Sequence, residues 1–115
     1  MGRGSGTLNA LIETYNKLLS KEGMVDVLAK TEHRRWNAYM VSNGWITMSK
    51  EETEAWMKAR GSNEHKDYLR LRHACIVPWD ELDQVSVTKG RDPQHFKNAD
   101  RKIIAGVTDF IVRSK

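Results

Sequence analysis

Leu28-Ala29-Lys30-Thr31-Glu32-His33-Arg34-Arg35-Trp36-Asn37-Ala38-Tyr39-Met40-Val41-Ser42-Asn43-Gly44-Trp45 is the stretch whose reading decides the fold. Val25, Ala29, His33, Trp36 and Met40 recur at spacings of three and four, which puts them on one face of a helix. Glu32, Arg34, Arg35 and Asn37 fall mostly elsewhere around it. Asn43-Gly44 is a stop, because glycine adopts the left-handed conformation that closes a last helical turn. The spacing therefore predicts one helix over residues 24–43, with a His and a Trp facing inward. Trp45 follows the stop, where it can fold back against the helix.

N-terminal to this stretch, Leu8, Leu11, Ile12, Tyr15, Leu18 and Leu19 form an apolar stripe at helical spacing, with Thr7 as N-cap and Gly23 as terminator. C-terminal to it, Ser49 and Glu52 make a capping box for a helix from Lys50 to about Ala59, stopped by Gly61-Ser62. That helix offers only Trp56 and Met57 as large apolar groups and is read as peripheral. Residues 60–73 are the most basic stretch, and the alternation Leu69-Arg70-Leu71-Arg72 is a faint extended signal. Cys75-Ile76-Val77 is a short apolar run ended by Pro78, which can begin a turn through Trp79-Asp80-Glu81-Leu82. Asp92-Pro93 opens a last helix running to about Val112. Its stripe is Phe96, Ala99, Ile103, Val107 and Phe110, widened by Ile104 and Ile111. The expectation is a mainly α, single-domain fold of four to five helices with short extended segments. The domain spans residues 7–115, preceded by a Gly-rich segment at 1–6 read as disordered or a tag remnant.

The chain has 115 residues, enough for one domain, and 39% of them are hydrophobic, enough for a modest core. Its net charge is +4, from 19 Lys and Arg against 15 Asp and Glu. This mild excess permits an anionic ligand without requiring one. Acidic residues interleave the basic ones nearly throughout, which makes nucleic acid the weaker alternative as a partner. The single cysteine, Cys75, has no partner for an intramolecular disulfide, so a reducing, cytoplasmic setting is expected. No run of eighteen apolar residues is present, so no membrane partner is expected.

Linear spacing argues against chemistry. No two of His33, His65, His73 and His95 stand at i, i+4, and one Cys cannot make a C-x-x-C pair, so no metal site and no cofactor are expected. No nucleophile elbow, Walker loop or dinucleotide fingerprint occurs. His73 with Cys75 is set aside as a nucleophile and base, the two side chains being read as pointing to opposite faces of an extended segment. No catalytic residue is assigned.

The quoted stretch resembles a known family. L-A-x-x-E-H-x-x-W followed by Gly44-Trp45 is similar to the RyR domain, the small repeat named after ryanodine receptors. It is also found alone or fused in bacterial and phage proteins. His73-Ala74-Cys75-Ile76-Val77-Pro78-Trp79-Asp80-Glu81-Leu82 is similar to the family's H-P-x-L-V-P-[YW]-x-x-L block. Asn98-Ala99-Asp100-Arg101 is similar to the acidic-Arg segment before its last helix. The three blocks, in order, span residues 25–112. The Tyr-Gly that commonly follows Gly-Trp is Ile46-Thr47 here, and Ala74 stands where the family has Pro.

The resemblance implies a small helical module that accepts an adenine nucleotide, in a stand-alone bacterial or phage member. Aromatic planes and guanidinium forks suit a purine nucleotide, one for stacking and the other for phosphate. The expectation is thus a non-enzymatic binding module that senses or sequesters an anionic, nucleotide-like molecule. The candidate ligand-binding residues are Arg35, Trp36, Trp45, Arg72, His73, Trp79 and Arg101. His33, Gly44, Pro78 and Asp100 are the structural residues of the motif. The alternative is a protein–protein interaction domain without a small ligand. Because RyR repeats pack in pairs, a homodimer is expected, with Leu11, Tyr15, Trp56 and Met57 at its interface.

Overall fold

A computed structural model describes the backbone of residues 2–113 and the side chains of residues 6–107. The elements are α1 (Gly2–Leu19), α2 (Met24–Ser42), β1 (Ile46–Thr47), α3 (Lys50–Arg60), β2 (Lys66–Asp67), β3 (Arg72–His73), a 3-10 turn (Trp79–Glu81), α4 (Leu82–Thr88) and α5 (His95–Arg113). The fold is mainly α, as its periodicity predicts, with a three-stranded sheet in the order β1-β3-β2. α1 begins at Gly2 and so runs back through residues 2–6, leaving Thr7 inside the helix rather than at its cap.

The central helix forms where it is expected. Ala29 and His33 are buried, and Val25, Trp36 and Met40 are half-buried on the same side. Its end is closed twice over. Gly44 takes φ 88°, and the Trp45 N–H donates to the Met40 carbonyl at 3.0 Å, turning the chain back. At Ser49 the hydroxyl accepts from the Glu52 N–H while the Glu52 carboxylate accepts from the Ser49 N–H, so the capping box is complete. Gly61, with φ 66°, ends α3.

Residues 66–73 depart from the sequence reading. Leu69-Arg70-Leu71 is a tight turn, not a strand, and Leu71 carries φ 56°. The chain pays for this conformation through Asp67, a buried carboxylate that accepts from the Leu69 and Arg70 N–H groups and from Arg70 Nε. The turn makes a hairpin in which Lys66 faces His73 and Asp67 faces Arg72. β1 adds to the other side of β3 in parallel, Thr47 facing His73. Three strands of two residues each thus hold His73 at the centre of the small sheet.

The core lies between α2, α5 and the 3-10 turn: Ala29, Cys75, Trp79, Leu82 and Ile104, flanked by Tyr15, Leu19, Leu28, Trp36 and Phe96. α5 is rotated from its expected stripe. Ile103 is 53% exposed and Ala99 is exposed, whereas Lys97 and Ile104 are buried. The reason is Trp79. Lys97 lays its aliphatic stem inward and its ammonium 5.1 Å from the Trp79 ring centroid, then pairs with Asp83 at 3.1 Å. Phe110 and Ile111 of the expected stripe lie outside the described side chains. No helix among the described residues is long and apolar enough to cross a membrane.

Candidate functional site

Two kinds of buried histidine meet at the centre of the fold. His33 is carried inward by the periodicity of α2, and each of its nitrogens faces a polar group. Nε2 contacts the Val77 carbonyl at 2.7 Å and Nδ1 faces Asp100 at 3.6 Å. Asn37, one turn along, donates to the same Val77 carbonyl at 2.9 Å. Asn37 therefore faces inward, which its place in the sequence pattern did not indicate. α2 is tied to α5 a second time by Arg101, which grips Asp26 with Nε at 2.7 Å and Nη2 at 3.0 Å. This pairing holds the Asp26 carboxyl below its usual range.

His73 and His65 are different. Their rings meet edge to face with centroids 4.9 Å apart. His73 Nδ1 accepts from the Cys75 N–H at 3.1 Å, and His65 Nδ1 contacts the Lys89 ammonium. Among the described residues neither Nε2 has a hydrogen-bond partner. Burial drives the pKa of His65 down to about 4 and that of His73 down to about 3, with the nearby Lys89 and Lys66 adding to the effect, so both rings are neutral at pH 7. Burial pushes Cys75 the other way, to about 12, so the thiol keeps its proton. The ligand atoms of His65, His73 and Cys75 all lie within 4.8 Å of one another. The reading of His73 and Cys75 as opposed is corrected here: Ala74-Cys75 is a turn, with the Ile76 N–H donating to the His73 carbonyl at 3.3 Å, and it brings both side chains to one place.

The rings form a continuous run. Trp79 is tilted against His33 at 6.3 Å, His33 stacks on Trp36 at 5.7 Å, and Trp36 meets His73 at 4.9 Å. His73 meets His65, which leans on Phe96 at 5.1 Å. Beside this run, between α2, the hairpin and α5, a cleft of about 240 Å³ opens. Its aromatic walls are His33, Trp36, His73, His65 and Phe96, its floor includes Leu82, and Glu32, Lys66 and Asp100 bring charge to it.

The sequence candidates divide accordingly. Trp36 and His73 line the cleft, as do His33 and Asp100 of the structural set. Trp45 stands behind His73, its ring 6.0 Å away, and also packs on Tyr68. Trp79 is core, 7% exposed, covered by Lys97 and Arg101. None of the three candidate arginines lines the cleft. Arg35 is bound to Glu32 through Nε at 2.8 Å and Nη2 at 2.7 Å, which lowers the Glu32 pKa. Arg72 neighbours His73 on β3 but alternates away from it, and its Nε is buried without a partner. Arg101 borders a separate and larger depression of about 620 Å³ with Val25 and Lys102, which has no Trp or Phe in its lining.

Gly44 and Pro78 act as turn formers, Gly44 at the α2 stop and Pro78 as the cap of the 3-10 turn. Of the interface candidates, Tyr15 points its hydroxyl inward to the Ile104 carbonyl at 2.7 Å. Trp56 donates its indole N–H to the Lys66 carbonyl at 3.0 Å and lies between Arg60 and Arg70. Met57 is half-buried and Leu11 is 58% exposed. Sequence reasoning missed His65, Lys66, Cys75 and Phe96 as parts of one place; only the hairpin joins 65 to 73, and no periodic signal spans it.

No family model, curated protein or solved structure matches this chain.

Proposed function

We propose that the chain is a non-enzymatic small-molecule-binding module of the RyR type, taking a flat, nucleotide-like ligand into the cleft between α2, the hairpin and α5. The observation that carries this reading is the cleft itself. Five rings border about 240 Å³, with a few charged groups among apolar walls. Binding sites have this composition, and the volume lies just below the usual range for drug-sized ligands, about 300–1,000 Å³. It suits a base or nucleoside better than a whole nucleotide. The RyR assignment draws support from the proximity of its motif residues: His33, Trp36, Trp79 and Asp100 are neighbours in space although 67 positions separate the first and last.

The anionic part of the ligand is served by Lys66, the cation in the lining, since Arg35, Arg72 and Arg101 are placed elsewhere. A phosphate would thus sit at the mouth rather than within. The protonated, buried Cys75 supports a binding role over nucleophilic catalysis, which uses the thiolate. The single buried Cys75 also supports a cytoplasmic setting.

The test is a thermal-shift series with adenine, adenosine and the adenine nucleotides. A ligand at one hundred times its Kd stabilises the native state by about 2.7 kcal/mol, a readily measured rise in Tm. Ile103→Trp, at an exposed position bordering the cleft, should fill it, leave the unliganded Tm unchanged and abolish the shift. No shift in wild type with any of them, or an equal shift in Ile103→Trp, would overturn the reading.

A second reading, a homodimer through α1, draws support from Leu11, whose side chain is more than half exposed on an otherwise inward-turned stripe. Light scattering should then give twice the 13.2 kDa chain mass, reduced to one by Leu11→Glu. A monomer mass in wild type ends it.

A further inference from the structure

We propose that His65, His73 and Cys75 form a binding site for a zinc-class metal ion at the inner end of the cleft. Three features carry it. First, the donors are the right kinds: two imidazoles and one thiol, the set that selects zinc and its neighbours over calcium or magnesium. Second, their ligand atoms already lie within 4.8 Å of one another. In a tetrahedral zinc site, with Zn–N near 2.0 Å and Zn–S near 2.3 Å, donors stand about 3.3–3.7 Å apart, so closure asks for roughly 1 Å of side-chain movement. Third, the donors are fixed by backbone the fold has made rigid. His73 is on the central strand, Cys75 follows two residues on, and the His65 carbonyl accepts from the Ala74 N–H at 3.0 Å.

The surroundings supply the rest of such a site. All three donors line the cleft, leaving the fourth position to water or to a ligand atom within it. Glu64 Oε1 lies 4.0 Å from His65 Nδ1, the position of an outer carboxylate that orients a metal-bound ring. Loading is balanced by one proton: the thiol S–H bond breaks, the S–metal bond forms, and the proton leaves to solvent. Nδ1 of each ring now accepts a hydrogen bond, from Lys89 and from the Cys75 amide. On each ring, either this contact breaks and Nδ1 takes the ion, or the proton moves from Nε2 to Nδ1, which ends the contact as well and frees Nε2. The Lys89 ammonium faces the triad as a competing cation and leaves as the metal enters. The site does not depend on the cleft taking an organic ligand.

The experiment uses the full chain, stripped with a chelator and titrated with cobalt(II) in place of zinc. The expected result is a thiolate-to-cobalt charge-transfer band with strong visible bands of tetrahedral cobalt, saturating at one equivalent and erased by added zinc. Cys75→Ser should lose the charge-transfer band. Should Cys75→Ser not fold, His65→Ala serves, since His65 sits on the partly exposed arm of the hairpin; it should bind cobalt at least about tenfold more weakly, the loss that even outer-shell partners cause. Folded wild type without the band at excess cobalt overturns the site. So does an unchanged band in folded Cys75→Ser, or unchanged affinity in folded His65→Ala. A nucleoside shift without cobalt binding defeats the metal site alone, and cobalt binding without any nucleoside or nucleotide shift defeats the organic ligand alone.

Discussion

His33 and His73 are both almost fully buried, within 6 Å of the same Trp36 ring, and they do different jobs. His33 spends both nitrogens on the protein, one on the Val77 carbonyl and one on Asp100, and so ties α2 to the segment before the 3-10 turn and to α5. His73 spends one nitrogen on its own neighbour's amide and, with His65, turns the remainder toward the cleft. A buried polar group is costly unless paired, so His33, facing a partner on each side, acts as a strut, while His73 holds one ring nitrogen on its own chain and leaves the other facing the cleft. The difference is one of partners, not of burial, and exposure alone would have scored the two residues alike.

The strut side should break most severely. Trp79→Ala, which empties the core position against which His33 leans, should cost about 3–5 kcal/mol. His33→Ala should cost about 1–3 kcal/mol, because Asp100 loses its partner while Val77 keeps Asn37. Denaturant midpoints at constant m-value measure both; a His33→Ala midpoint equal to wild type would remove the strut.

The cleft side should respond to pH. The unfolded chain takes protons on its histidines near 6.5, whereas folded His65 and His73 resist to about 4 and about 3. Below pH 6.5 the unfolded state therefore binds more protons, and stability present in full above that value is lost as pH falls through the folded values. Cys75 has the opposite sign. Its ordinary value of 9.0 rises to about 12 in the fold, so above pH 9 the unfolded chain loses the proton first and stability falls again. Stability should form a plateau between roughly pH 7 and 8.5. A midpoint at pH 5 equal to that at pH 7.5 would contradict the burial of both rings.

Smaller effects sharpen the contrast further. His65→Ala, which removes a ring packed on His73 and Phe96 but no tie between helices, should cost less than His33→Ala. Arg35→Ala should leave the midpoint unchanged within measurement error, since the Arg35–Glu32 pair is solvent-screened with Arg35 62% exposed. It should also leave ligand binding unchanged, because Arg35 does not face the cleft. Loss of binding in that variant would return the arginine to the site.

Much of the fold was legible in short-range pattern. The α2 face, the Gly44 and Gly61 stops, the Ser49–Glu52 box and the turn at Pro78 are decided by residues within four positions of one another, and each is found where the sequence places it. The rotation of α5 was not legible, because Lys97 is buried by a tertiary accident of chemistry: a flat indole at position 79 gives its stem a surface and its charge a partner. The candidate site was legible only in its half on α2 and β3. His65 joins it through a turn whose strain at Leu71 is met by Asp67, and a single buried carboxylate has no sequence period to announce it. Local sequence thus determined where α2 and α3 start and stop and which side α2 buries, since those choices are settled by backbone hydrogen bonds and side-chain spacing over one or two turns. The meeting of His65, His73 and Cys75, and the cleft they border, was decided by the hairpin register and by the docking of α5. These contacts reach across tens of residues and are fixed only when the core packs.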